Sequence, residues 1–95
     1  MVSKEDVIKV LEQVQDPELG MDIYSLELIY EIKVEDGKVY VKMTFTTPMC
    51  PYGPMLLYEV KYRLSEIKGV KEVDVEVSFD PPWEPSPELR ATLGV

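Results

Sequence analysis

A single cysteine, Cys50, stands in the run Thr46-Thr47-Pro48-Met49-Cys50-Pro51-Tyr52-Gly53-Pro54. Pro48 and Pro51 bracket it and fix two φ angles, which stiffens the loop, and a proline-rich first turn predicts a helix starting around 51–54. A thiol just before a helix start meets unpaired N–H groups and the positive end of the helix dipole. Both lower its pKa and favour thiolate, the form that binds soft metals and attacks electrophiles. Thr46 and Thr47 are placed to donate hydrogen bonds to a sulfur or oxygen atom there. A lone cysteine is also most often a small buried hydrophobe, and residue chemistry alone leaves that alternative ahead.

The rest of the chain limits what Cys50 can do. It has no histidine, the usual general base near neutral pH and the commonest metal ligand. One cysteine forms no internal disulfide, CxxC pair or zinc ribbon, so a metal at Cys50 needs ligands from a second chain or a small molecule. Asp16 and Glu18, on either side of Pro17, offer oxygen ligands or a base. The plainer alternative, which residue chemistry favours, is a pair of solvent-facing loop carboxylates with Asp16 capping the turn. Asp80 and Trp83 bracket two prolines, and packing is the expected role of the tryptophan.

These residues need elements to position them. Ser3 and Asp6 form a capping box in which Asp replaces Glu or Gln, and Val7, Val10, Leu11 and Val14 follow at helical spacing until Asp16-Pro17 ends the helix. Leu28, Tyr30, Ile32 and Val34 alternate with Glu31, Lys33 and Glu35 as a strand. Asp36-Gly37 turns the hairpin, and Val39, Val41, Met43 and Phe45 alternate with Tyr40, Lys42 and Thr44 as the return strand. The second helix runs to Lys68, with Gly69 as its left-handed terminator. Val73, Val75, Val77 and Phe79 form a third strand, parallel to the second, whose neighbour in the sheet the pattern leaves open. Ser86, Pro87 and Glu88 read as N-cap, first position and acidic first turn of a short helix. The order is an α+β, two-layer αββαβ sandwich with a short C-terminal helix, in one domain over 1–95.

On the second helix Leu57, Val60, Leu64 and Ile67 make a sufficient core stripe, whereas Met55, Tyr58 and Tyr62 lie on roughly the opposite side. Such side chains are enriched in interfaces and point to another chain, a second copy included; tyrosines also pack their rings harmlessly along a wet surface. At 95 residues the chain has a modest core and no room for a deep enclosed active site. A net charge of −8 repels phosphate backbones, which argues against nucleic acid. No apolar run suffices to span a bilayer, and the polar stretch Met1–Asp6 is neither signal nor transit peptide, so a cytoplasmic location is expected.

Taken together, Asp16-Pro17-Glu18, Ser25-Leu26-Glu27-Leu28-Ile29-Tyr30, Thr46-Thr47-Pro48-Met49-Cys50-Pro51 and Asp80-Pro81-Pro82-Trp83 resemble the SufT/PaaD-like family of metal–sulfur cluster biosynthetic proteins over essentially the whole chain. The resemblance implies a fold related to the C-terminal domain of NifU-type scaffolds. It implies assembly or delivery of iron–sulfur clusters, with iron or a transient cluster at Cys50, and assembly proteins and client apoproteins as partners. Asp16, Glu18, Thr46 and Thr47 match residues around the family's site. Two features depart from the relatives: there is no cysteine-rich extension of the PaaD kind and no CxxC pair of the NifU kind. One thiolate cannot hold a cluster of the four-cysteine type; a homodimer would supply two, in a labile site suited to transfer. A metal-free adaptor joining assembly machine to client is the alternative function. A thiol enzyme without histidine ranks last.

Overall fold

The computed structural model describes residues 2–17, 19–46, 52–80 and 82–94. Their elements run α1 (Lys4–Leu11), β1 (Ile29–Glu35), β2 (Lys38–Met43), α2 (Gly53–Ser65), β3 (Glu72–Val77) and α3 (Pro87–Leu93). The expected α+β class and element order hold. β1 and β2 pair antiparallel, β3 joins β2 in parallel, and the sheet order is β1-β2-β3, which decides the position of β3.

Local chemistry explains most of the boundaries. The Asp6 N–H donates to Ser3 Oγ at 3.2 Å and the Ser3 N–H to Asp6 Oδ2 at 3.0 Å, closing the capping box at α1. Asp36 and Gly37 have φ of 49° and 81°, as a two-residue hairpin turn requires. A Cβ at Gly37 would lie 2.9 Å from the Gly69 carbonyl oxygen, so the turn tolerates only glycine there. Ser86 Oγ accepts the Leu89 N–H at 3.2 Å, Pro87 opens α3, and Gly94 ends it in the left-handed conformation.

The core lies between the helices and the inner face of the sheet. Val7 and Leu11 of α1, Leu56, Val60 and Leu64 of α2, Val39, Val41 and Met43 of β2 and Val75 of β3 are buried there, with Val14, Ile23, Leu26 and Leu28 from the loop before β1. No helix among the described residues is long and apolar enough to cross a membrane.

Several expected boundaries move. α1 stops at Leu11 rather than at Asp16-Pro17, because the backbone beyond it pairs elsewhere: Ile23 N–H donates to Val14 O, Asp16 N–H to Met21 O, and Gln15 bridges Asp22. Val14 is still buried, as a loop residue. Tyr30 is the extra residue of a bulge, so Ile29 rather than Tyr30 faces core residue Met43 across the ladder. β2 ends at Met43, and Thr44, expected on the polar face, is fully buried. α2 ends at Ser65, where i→i−3 bonds from Glu66 and Ile67 tighten the chain before Gly69. Its stripe is seated on Leu56, while Leu57 and Ile67 are only half buried, and Phe79 beyond β3 is 40% exposed.

Candidate functional site

The parallel pairing of β2 and β3 puts their C-terminal ends at one end of the sheet, beside the start of β1, since Ile29 pairs with Met43 and Met43 with Val77. Ligands of sheets with parallel strands commonly sit outside this end. The segment from Thr46 to α2 leaves from it. The Phe45 and Phe79 rings meet there with centroids 6.1 Å apart. Against Phe45 lies Gly53, the first residue of α2: a Cβ at that position would fall 2.8 Å from the ring. Tyr52, in the N-cap position, makes no side-chain cap, and the first turn of α2 carries no acidic residue. The positive end of this helix is therefore not neutralised by the capping devices seen at α1 and α3.

A hydrogen-bonded chain ties the Asp16 loop to the same end. Asp16 Oδ1 accepts the Leu19 N–H at 3.1 Å, and its carbonyl oxygen accepts the Gly20 N–H at 2.8 Å. From Val14 the path continues through Ile23 to Leu28, whose carbonyl oxygen accepts the Thr44 N–H at 2.8 Å. Asp16 does cap its turn, as expected of a structural carboxylate. It is not solvent-facing, however: at 1% exposure it is buried. The surrounding turn supplies the Leu19 N–H to this buried carboxylate.

The C-terminal segment closes over this loop. Trp83 Nε1–H donates to the Leu26 carbonyl oxygen at 2.7 Å, and the ring packs half buried against the core, so the expected packing role holds. Glu27 adopts a left-handed φ of 62°. Its carboxylate accepts both the backbone N–H and the hydroxyl of Ser86, at 3.3 and 3.0 Å. Sequence reasoning missed Glu27 as a tether, because its partner lies far along the chain and no local pattern announces it.

Of the residues singled out from the sequence, Asp16 is thus tied through the loop backbone to one end of the sheet, and Thr46 follows β2 in the chain, three residues after Met43. Glu18, Thr47 and Cys50, with Pro48 and Pro51, lie outside the described residues. Among the described residues no group of three His, Cys, Asp or Glu side chains is close enough to hold a metal ion.

Met55, Tyr58 and Tyr62 are exposed along α2, at 70%, 72% and 56%. The two tyrosine rings stack, 6.4 Å between centroids and 13° between planes. Tyr62 borders an open groove between α1 and α2 whose walls include Val10, Gln13, Arg63 and Ile67. Arg63 is held by Glu59 at 2.8 Å. A hydrogen bond to the Glu66 carboxylate, with its negative charge, raises the Tyr62 pKa above the ordinary 10.0 and keeps the phenol neutral.

Residues 4–77 match the profile of a family described as iron–sulfur cluster assembly protein. The chain is 43% identical over 81 residues to the Fe-S protein maturation auxiliary factor YitW of Bacillus subtilis, covering 84% of this chain and 79% of that one. It is 44% identical over 69 residues to the Fe-S protein maturation auxiliary factor SufT of Staphylococcus aureus, covering 72% and 78%. The solved structure of the hypothetical protein TM0487 from Thermotoga maritima superposes with a TM-score of 0.87 at 50% identity, covering 99% of this chain and 96% of that one.

Proposed function

The chain belongs to the iron–sulfur cluster assembly protein family and serves cluster assembly or maturation; from that premise we propose that it carries iron or a cluster transiently on Cys50 and delivers it to client apoproteins. The observation that carries this reading is the start of α2. Cys50 precedes the N-cap position, Tyr52, by two residues in the sequence, and the helix that follows has neither a capping side chain nor an acidic first turn. An uncapped helix N-terminus favours thiolate and the negative charge of a thiolate-bound cluster.

In this reading the iron or cluster is cargo. One thiolate leaves most of the coordination sphere open, so donor and client proteins, or a small thiol, provide the remaining ligands. Delivery is then ligand exchange: the bond from iron to the Cys50 sulfur breaks as a bond to an acceptor thiolate forms, with no change in oxidation state. No substrate is turned over, and the protein acts as a factor rather than an enzyme. Thr46 and Thr47 donate hydrogen bonds to the bound sulfur or oxygen atoms, while Asp16 and Glu18 support the loop beside them. Met55, Tyr58 and Tyr62 form the surface on which assembly proteins or clients dock, in the cytoplasm.

The test is activation of a client apoprotein in vitro by wild-type protein and by Cys50→Ala. Delivery through Cys50 requires that the variant lose activation while still binding the client. Full activation by the variant would instead make the chain a metal-free adaptor.

A further inference from the structure

Among the described residues β1 is an edge strand, with β2 on one side and no strand on the other. The Asp36-Gly37 turn makes Glu35 and Lys38 the first pair of the hairpin. In such a turn that pair exchanges hydrogen bonds, and bonded and non-bonded pairs then alternate. Glu35, Lys33 and Glu31 accordingly direct their backbone groups to β2, and Ile32 and Val34 direct theirs outward. Neither of these two makes a backbone hydrogen bond outside the sheet among the described residues. Their side chains are half buried on the helix side, whereas Glu31, Lys33 and Glu35 are exposed on the other face. An open groove bordered by Lys4, Tyr24, Ile29 and Ile32 runs along this edge.

The opposite edge differs in charge. β3 exposes Glu72, Asp74 and Glu76, so pairing it with a copy of itself sets carboxylate against carboxylate in every register that keeps the faces aligned. Against β1 those carboxylates meet two glutamates and one lysine. β1 against β1 is the combination that can match charges, and the register decides whether it does. An antiparallel pair centred on Lys33 opposes Lys33 to Lys33 and Glu31 to Glu35. Centred on Val34, it drags the turn residues Asp36 and Gly37, with their left-handed φ, into the ladder. Centred on Ile32, each Glu31, which lies 3.4 Å from the Lys33 ammonium of its own strand, also faces the partner's Lys33, in the closely spaced non-bonded position, while the two Ile32 residues exchange backbone hydrogen bonds.

We propose that the β1 edge is where two copies of this chain associate, as an antiparallel pair centred on Ile32 with two reciprocal Glu31–Lys33 contacts. The two-fold axis stands perpendicular to the sheet, so the copies share one sheet across residues 31–33, as far as the bulge at Tyr30, with all helices on the same face. Ile32 and Val34 gain cover from the partner. The two copies of Ile29 end about 20 Å apart along the pair.

The test is mass in solution by sedimentation equilibrium at low salt, up to millimolar protein. Wild type is expected to reach twice the chain mass. Glu31→Lys and Lys33→Glu, each placing like charges opposite one another, are expected to stay at the mass of one chain. The double swap Glu31→Lys with Lys33→Glu restores opposite charges and is expected to restore the dimer. A wild-type protein that stays monomeric throughout overturns the proposal, as do single swaps that leave a dimer intact or a double swap that fails to recover it. A dimer broken by Tyr58→Glu with Tyr62→Glu but indifferent to the β1 swaps does so too.

Discussion

Gly53 opens α2 against the ring of Phe45, so near that a Cβ would come within 2.8 Å of it. The end of β2 and the start of α2 are thereby fastened together on either side of the segment that carries Cys50. Gly53→Ala sets two effects against each other. Alanine gains up to about 1 kcal/mol of helix propensity, while overpacking costs about 1–3 kcal/mol. Phe45 is itself packed against Phe79 and the core, so we expect net destabilisation of about 1 kcal/mol in urea unfolding, with Phe45→Leu in the same chain recovering part of it.

Asp16 accepts the Leu19 N–H from a buried position. Asp16→Ala leaves that amide without its partner and opens the 16–21 turn. A loss of about 1–3 kcal/mol is expected from denaturant unfolding, with amide exchange at Leu19 speeding up more than at Val41 in β2.

The bond from Trp83 Nε1 to the Leu26 carbonyl oxygen pins the C-terminal segment to the loop before β1. Trp83→Phe keeps much of the ring but removes the donor, at a cost of about 1–2 kcal/mol. Limited proteolysis should cut first within 82–94, ahead of any cut in the sheet.

Much of this architecture was legible because its signals are local. Ser3 with Asp6, Asp36-Gly37, and Ser86-Pro87-Glu88 each act within four residues, and each appears where the sequence puts it. The illegible parts depend on partners far along the chain. Leu11 ends α1 because residues 14–16 pair with 21–23, a contact that helical periodicity does not register. Tyr30 fits an alternating strand until the ladder with β2 bulges at it. β3 has the same apolar alternation whichever neighbour it takes, and only the sheet itself shows it beside β2. At the site, the chemistry of Asp16 was legible and its burial was not, since the turn that encloses it is non-helical backbone. Glu27 and Trp83 reach Ser86 and Leu26 across most of the chain.

Asp6 gives the fold one defined response to acid. Hydrogen bonds from the Ser3 backbone and side chain lower its pKa below the ordinary 3.8. A carboxyl lowered in the folded state contributes stability that is fully present above the unfolded value. That contribution is lost as pH falls from 3.8 through the lowered value. Asp6→Asn should flatten the fall of stability below pH 3.8 and leave its pH dependence above about 6 unchanged, as read from urea midpoints across pH.

Anaerobic reconstitution with ferrous iron and sulfide, alongside Cys50→Ser, tests whether Cys50 holds the iron or cluster. Iron per chain and the visible spectrum are read together after desalting, with circular dichroism confirming that both proteins are folded. Charge-transfer absorption and bound iron are expected in the wild type and neither in the variant. Equal iron and identical bands in both proteins, or none in either, would contradict binding through Cys50.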